Sequence, residues 1–114
     1  MTDFSAATST TSTGPVLTVR GDLDANTAPA VLEQLKGLTI AGGQLLVVDL
    51  ARMGFCDSSG ISTLIAARNV AGAAGASIAL VCVPAQLTRI LDLIGLTSLF
   101  PTYPSATEAV AAHT

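Results

Sequence analysis

Four consecutive apolar residues, Leu45-Leu46-Val47-Val48, constrain this chain more than any other feature. A strand that is apolar at every position must be covered on both faces, the habit of a central strand in a sheet with helices attached. Ser77-Ile78-Ala79-Leu80-Val81-Cys82-Val83 is a second strand of the same kind. Between them lies Met53-Gly54-Phe55-Cys56-Asp57-Ser58-Ser59-Gly60-Ile61-Ser62-Thr63-Leu64-Ile65. Asp57 and Ser58 read as helix N-cap residues, since their side-chain oxygens can accept from the free N–H groups of a first turn. Ile61, Leu64 and Ile65 then repeat at helical spacing and mark a buried face. Two serine hydroxyls thus sit at the positive end of a helix beside a carboxylate, a place that can hold a phosphate, bound or covalently attached.

The remaining elements follow from similar signals. Val16–Arg20 is β-prone and closed by Gly21, and Asp22–Thr27 is a polar loop. Thr27 is a good N-cap with Pro29 close behind, which predicts a helix over Ala28–Gly37 with Val31, Leu32 and Leu35 as its buried stripe. Gly42-Gly43 is a turn, and the Ser58 helix should end near Gly72 or Gly75. Pro84 opens a third helix, in which Leu87, Ile90, Leu91 and Ile94 keep a three-to-four spacing and Gly95 is the stop. Leu87, Ile90, Leu93 and Phe100 are expected mostly in the core, with one or two in a docking patch. Leu99-Phe100 reads as a short extended piece, and Ser105 as the cap of a last helix through Ala109, Val110 and Ala112. Residues 1–14 are a flexible segment or short edge strand, with Phe4–Ala7 the strand candidate and Thr8–Gly14 a polar loop; 15–114 form the domain. Strands alternating with helices predict an α/β fold, a four- to five-stranded mostly parallel sheet with about four helices. Loops at the carboxyl ends of such strands gather on one edge, which would bring Asp24, Asp57 and Ser58 together.

Composition excludes several functions. Only 11% of the 114 residues are charged, the net charge is −3 and no basic run occurs, so nucleic acid is not an expected partner. With half the chain apolar, an exposed apolar patch of the kind that marks partner sites is expected. Cys56 and Cys82 lack metal-ligand spacing and read as buried reduced thiols, which suits a cytoplasmic protein. No metal and no cofactor are expected, and no Gly-rich phosphate loop with a following Lys is present. Val70–Thr88 is uncharged and near spanning length, but Gly72, Gly75, Pro84 and Gln86 argue against a membrane span. The N-terminus lacks the pattern of a signal peptide.

Three motifs carry a resemblance: Gly21-Asp22-Leu23-Asp24 followed by Thr27; Asp57-Ser58-Ser59-Gly60-Ile61 preceded by Val47-Val48-Asp49-Leu50 and Phe55; and Leu91-Asp92-Leu93 with Gly95-Leu96. In order and spacing, from about Pro15 to Ala111, the chain resembles the STAS-domain family, specifically bacterial anti-sigma-factor antagonists. The resemblance implies partner switching. The unphosphorylated antagonist binds an anti-sigma factor that is also a serine-protein kinase and frees the sigma factor. Phosphorylation of the first serine of the tetrapeptide, here Ser58, abolishes binding, and a metal-dependent serine phosphatase restores it. Ser59 is a possible secondary acceptor. The implied partner surface comprises Asp24, Thr27, Asp57, Ser58, Ser59, Gly60 and Ile61, with Gly60 leaving open backbone beside the acceptor. Ser62 and Thr63 depart from the family, which often has Gly and an apolar residue there.

The resemblance implies a protein that is not an enzyme and is a monomer when free. A hydrolase built on Ser58, Asp57 and His113 is disfavoured, because the single histidine is next to last and no nucleophile-elbow glycines flank the serine. The alternative is a stand-alone STAS subunit of a lipid-transport or stress-signalling assembly.

Overall fold

The computed structural model describes residues 4–113. The elements, in chain order, are β1 (Ser5–Thr11), β2 (Gly14–Leu23), α1 (Ala28–Lys36), β3 (Leu45–Cys56), α2 (Ser58–Ala73), β4 (Ser77–Val81), α3 (Ala85–Leu93), a single 3-10 turn at Thr97–Leu99, β5 (Thr102–Tyr103) and α4 (Ala106–His113). They form one five-stranded sheet in the order β1-β2-β3-β4-β5. The β1–β2 pair is antiparallel and every other pair is parallel. The expected α/β architecture is the one observed.

β3 is covered twice, as its sequence requires. Leu46, Val48 and Leu50 face a core shared with Val31 and Leu35 of α1, Leu64 and Ala67 of α2, and Leu87 and Leu91 of α3. Leu45 and Val47 face the other way and pack with Ala79, Val81 and Ala109 of α4. Phe100, fully buried, closes the larger core behind the 3-10 turn.

Several expectations change. Thr8–Thr11, read as polar loop, belong to β1, in register with Gly14–Leu17. Leu99 lies in a 3-10 turn, and the short last strand comes after it, at Thr102–Tyr103. β4 stops at Val81 because Cys82 adopts a left-handed φ of 55°, turning the chain toward Pro84, the N-cap of α3. Cys82 is therefore half-buried rather than buried, with Sγ 3.2 Å from the Pro104 carbonyl oxygen. Leu32, 37% exposed, sits on the rim of the α1 stripe, which Ala28 completes instead. Leu93 is 79% exposed and is not a core residue.

β3 spans Leu45–Cys56, longer than the Gln44–Leu50 run that signals it, because two bulges carry it past its polar middle. Between the pairs Thr18–Asp49 and Arg20–Arg52, and again between Gly21–Met53 and Leu23–Cys56, β3 holds one residue more than β2. Such bulges bend a strand and re-aim its side chains.

Phe100→Ala removes a ring that is 1% exposed. It is expected to destabilise the fold by about 3–5 kcal/mol, the usual cost of emptying an aromatic core site. A urea titration should show a lower midpoint with an unchanged slope.

Candidate functional site

The carboxyl ends of β2 and β3 are tied at the point where both become loops. Leu23 pairs with Cys56, and the Asp57 N–H donates to the Leu23 carbonyl at 3.2 Å. Asp24 and Asp57 are therefore on adjacent loops, and Ser58 follows directly, so the topology brings the three together as expected.

Each aspartate there holds backbone. Asp57, extended at φ −100° and ψ −168°, caps α2: its Oδ1 accepts from the Ser59 N–H at 2.9 Å and the Gly60 N–H at 3.1 Å. Asp24 Oδ1 accepts from the Asn26 N–H at 2.9 Å and the Thr27 N–H at 3.1 Å. Thr27 does not cap α1 through its side chain. Its hydroxyl donates to the Asp22 carbonyl at 2.7 Å and accepts from the Asp24 N–H at 2.9 Å. The second bulge of β3 leaves the Phe55 N–H out of the ladder, and Asp22 Oδ1 accepts it at 2.8 Å. Gln86, from α3, donates through Nε2 to the Gly54 carbonyl at 2.9 Å. A side chain at Gly54 would run into the Asp22 carboxylate.

Ser58 is the first residue of α2 and is exposed. Among the described residues its hydroxyl has no hydrogen-bond partner. The capping role divides differently from expectation: Asp57 caps and Ser58 does not, because one carboxylate oxygen already takes both reachable N–H groups. Ser59 is half-buried, and its carbonyl accepts from the Thr63 hydroxyl at 2.8 Å, which lets a polar residue lie buried in α2. Gly60 does not leave open backbone beside the acceptor. It is buried, and a Cβ there would stand 2.7 Å from the Leu23 carbonyl oxygen and against Cys56 Sγ. Its lack of a side chain lets the first turn of α2 seat on the strand ends.

Beside Ser58 the bulge aims Phe55 outward, 57% exposed. An open apolar groove of about 470 Å³ runs from Phe55 past Ile61 to Ile90 and Ile94, with Asp57, Ser58 and Ser62 on its lip. Ile94 is 51% exposed. No Lys or Arg lines the groove. Gln86 and Ile94 are site residues that the motifs do not include; Asp22 and Phe55 stand in the motifs without an assigned role, and Ile90 is one of the residues expected to supply a docking patch. One signal was present: Leu87 and Leu91 make the buried stripe along α3, while Ile90, partly buried against the core, and Ile94, exposed, make a second stripe at its rim. Among the described residues, no cluster of three or more His, Cys, Asp and Glu is arranged to hold a metal. No helix there is long and apolar enough to cross a membrane. His113 lies at the other end of β3, with Nε2 2.8 Å from the Gly43 carbonyl oxygen, so no Ser58–His113 pair exists.

A family model described as the Mlab STAS domain matches residues 6–101. The chain belongs to the STAS-domain family. Among solved structures, this STAS domain is similar to an anti-sigma factor antagonist from Mycobacterium paratuberculosis, at 25% identity over 96% of this chain and 93% of that one, with a TM-score of 0.79. It is also similar to an anti-sigma-factor antagonist STAS protein from Planctomyces limnophilus, at 18% identity over 95% and 97%, TM-score 0.81. The phosphorylated form of the Bacillus cell fate determinant SpoIIAA matches at 16% identity over 98% and 100%, TM-score 0.69. At the latter two identities the likeness is one of fold.

Three expectations test this site. Asp57→Ala should cost about 0.5–2 kcal/mol, the range for losing an N-cap, read from the denaturation midpoint, with α2 fraying first in hydrogen exchange. Burial, and then the Asp57 charge, push the Cys56 thiol up to about 11. The fold therefore holds the proton more tightly than the unfolded chain, so its stability should fall as pH rises from 9 toward 11. In iodoacetamide labelling at pH 8, Cys82 should react readily and Cys56 only on unfolding.

Proposed function

We propose that this STAS domain is a cytoplasmic anti-sigma-factor antagonist whose binding is switched off by phosphorylation of Ser58. The observation that carries the reading is the free Ser58 hydroxyl on the lip of an apolar groove. The partner is an anti-sigma factor with serine-kinase activity, and a metal-dependent phosphatase reverses the modification. Similarity to the Mycobacterium paratuberculosis antagonist supports the class. The docking surface comprises Phe55, Ile61, Ile90 and Ile94 for apolar contact, and Asp24, Asp57, Ser58 and Ser59 for polar contact. Thr27 and Gly60 serve it indirectly, by shaping the Asp24 turn and seating α2.

The physics of the switch follows from what surrounds Ser58. A phosphoryl group adds about −1.5 to −2 charge at neutral pH. Asp57 already occupies the Ser59 and Gly60 N–H groups, so the helix terminus has less to offer an added anion than the sequence suggests. The phosphate instead sits beside a carboxylate, with no cation on the groove, and stays in water. Docking an apolar partner surface over it would strip that water from an unpaired dianion, at a cost of several kcal/mol. Each 1.4 kcal/mol or so is tenfold in affinity, so a loss of about a hundredfold is well within reach. The fold itself need not change.

A second reading keeps the same groove as the docking surface and makes the chain a stand-alone STAS subunit of a lipid-transport or stress-signalling assembly, with a transporter ATPase as partner in the first case.

The test is site-mapped intact-mass spectrometry of wild type and Ser58→Ala after incubation with ATP and native extract, together with pull-downs. Under the proposal, wild type gains one phosphoryl group at Ser58 and the variant gains none. Ser58→Ala should retain the kinase partner, while Ser58→Asp should melt like wild type and bind about a hundredfold more weakly. An unmodified wild type in an extract with active kinases, co-purifying with an ATPase instead, would establish the second reading.

A further inference from the structure

The edge of the sheet at β1 is unguarded. Natural edge strands commonly carry charge, proline or a bulge that stops another strand from pairing with them. Ser5–Thr11 has none of these: its sequence is Ser-Ala-Ala-Thr-Ser-Thr-Thr, and its pairing with β2 is unbroken. The whole stretch from Phe4 to Val19 is without a charged residue.

The register fixes which backbone groups face outward. Thr10 lies opposite Pro15, which has no N–H, so this is a non-hydrogen-bonded position of the antiparallel ladder. Alternation then sends the N–H and C=O of Ala6, Thr8 and Thr10 away from β2, to the open edge. The neighbouring helix repeats this neutrality. Gln34 of α1 lies beside β1, its Oε1 3.5 Å from Thr8 Oγ1. Ala30 and Gly37, four back and three on, continue that side of the helix, so the strip over the edge is uncharged, with small residues on either side of Gln34. The α1 charges, Glu33 and Lys36, pair with each other at 3.3 Å.

We propose that β1 is a self-association edge, and that its occupant is the β1 strand of a second copy of this chain, antiparallel about a two-fold axis at Thr8. In that arrangement Thr8 meets its own copy, Ala6 meets Thr10, and the outward N–H and C=O groups of these three residues satisfy one another. Directly opposed threonines are favourable cross-strand neighbours. Two chains of net charge −3 meet on a strip that holds no like charges to oppose, and the small α1 residues let the two helices approach. The two sheets become one continuous sheet. The Ser58 groove, built on β3, α2 and α3, takes no part, so the dimer presents it twice. This departs from the monomer implied by the family resemblance and does not depend on the function proposed for Ser58.

The test is sedimentation equilibrium of the full chain, up to millimolar concentration, with two substitutions at the axis. Thr8→Pro removes an N–H that the β1–β2 ladder does not use. It should leave the circular dichroism spectrum intact and weaken dimerisation about tenfold or more, the equivalent of losing the paired edge bonds at the axis. Thr8→Lys places like charges opposite each other and should act in the same direction, with recovery at high salt. A wild type that stays monomeric throughout, or a dimer that both variants leave unchanged, would overturn the proposal. So would open-ended assembly, because a two-fold pairing closes at two copies.

Discussion

A strand that is apolar on both sides has to be covered twice, and the arrangement of this molecule follows from meeting that demand for β3. Leu46, Val48 and Leu50 require the layer of α1, α2 and α3; Leu45 and Val47 require α4. Because β3 is central, β2 and β4 pair with it in parallel, and parallel pairing forces each connection to travel the length of the sheet as a helix. The same pairing brings the ends of β2 and β3 together, where the Asp57 N–H meets the Leu23 carbonyl. The site is thus a consequence of the core, placed where two buried strands stop being buried.

What makes that junction a surface with chemistry is the second bulge of β3. An ideal strand would carry Phe55 in ladder register. The extra residue instead frees its N–H for Asp22 and throws its ring outward, while Gln86 takes the Gly54 carbonyl. Asp22, Asp24 and Asp57 each bind main-chain N–H groups: Asp22 ties the end of β2 to the bulge of β3, and Asp24 and Asp57 hold the backbone of their own turns.

The sequence was legible where burial imposes a period and illegible where it does not. β3, β4 and the stripes of α1 and α3 announce themselves because one or both faces are dry. β1 does not: its side chains are mostly exposed, so Ser5–Thr11 has no apolar alternation and its Ser/Thr content reads as loop. Its strand character comes from pairing with β2, a long-range fact. The same reasoning explains Leu93 and Leu32, apolar residues that a periodicity argument draws inward and that the helix leaves outside. In the site, Asp57 and Ser58 were legible as a helix start, but which of them caps was not. That division depends on the extended backbone at Asp57 placing one oxygen within reach of two N–H groups. Gly60 was legible as important and misread in kind: it serves close packing against Leu23 and Cys56 rather than access.

The proposed switch needs a surface that stays still while its charge changes, and this junction is built for stillness. A mobile loop could swing an added phosphate away from the groove or toward a distant cation, and the affinity change would leak into rearrangement. Here the residue before Ser58 is fixed by its carboxylate and its own N–H, and the residues after it are fixed by capped helix and by a glycine pressed onto the strand ends. The lip position leaves the hydroxyl in solvent, while the floor of the groove, from Phe55 to Ile94, stays apolar. An added charge has few conformational escapes in such a place. The free energy of the modification is then expressed almost entirely as a penalty on covering the groove, which is the condition for a small covalent change to act as a binding switch without a second fold.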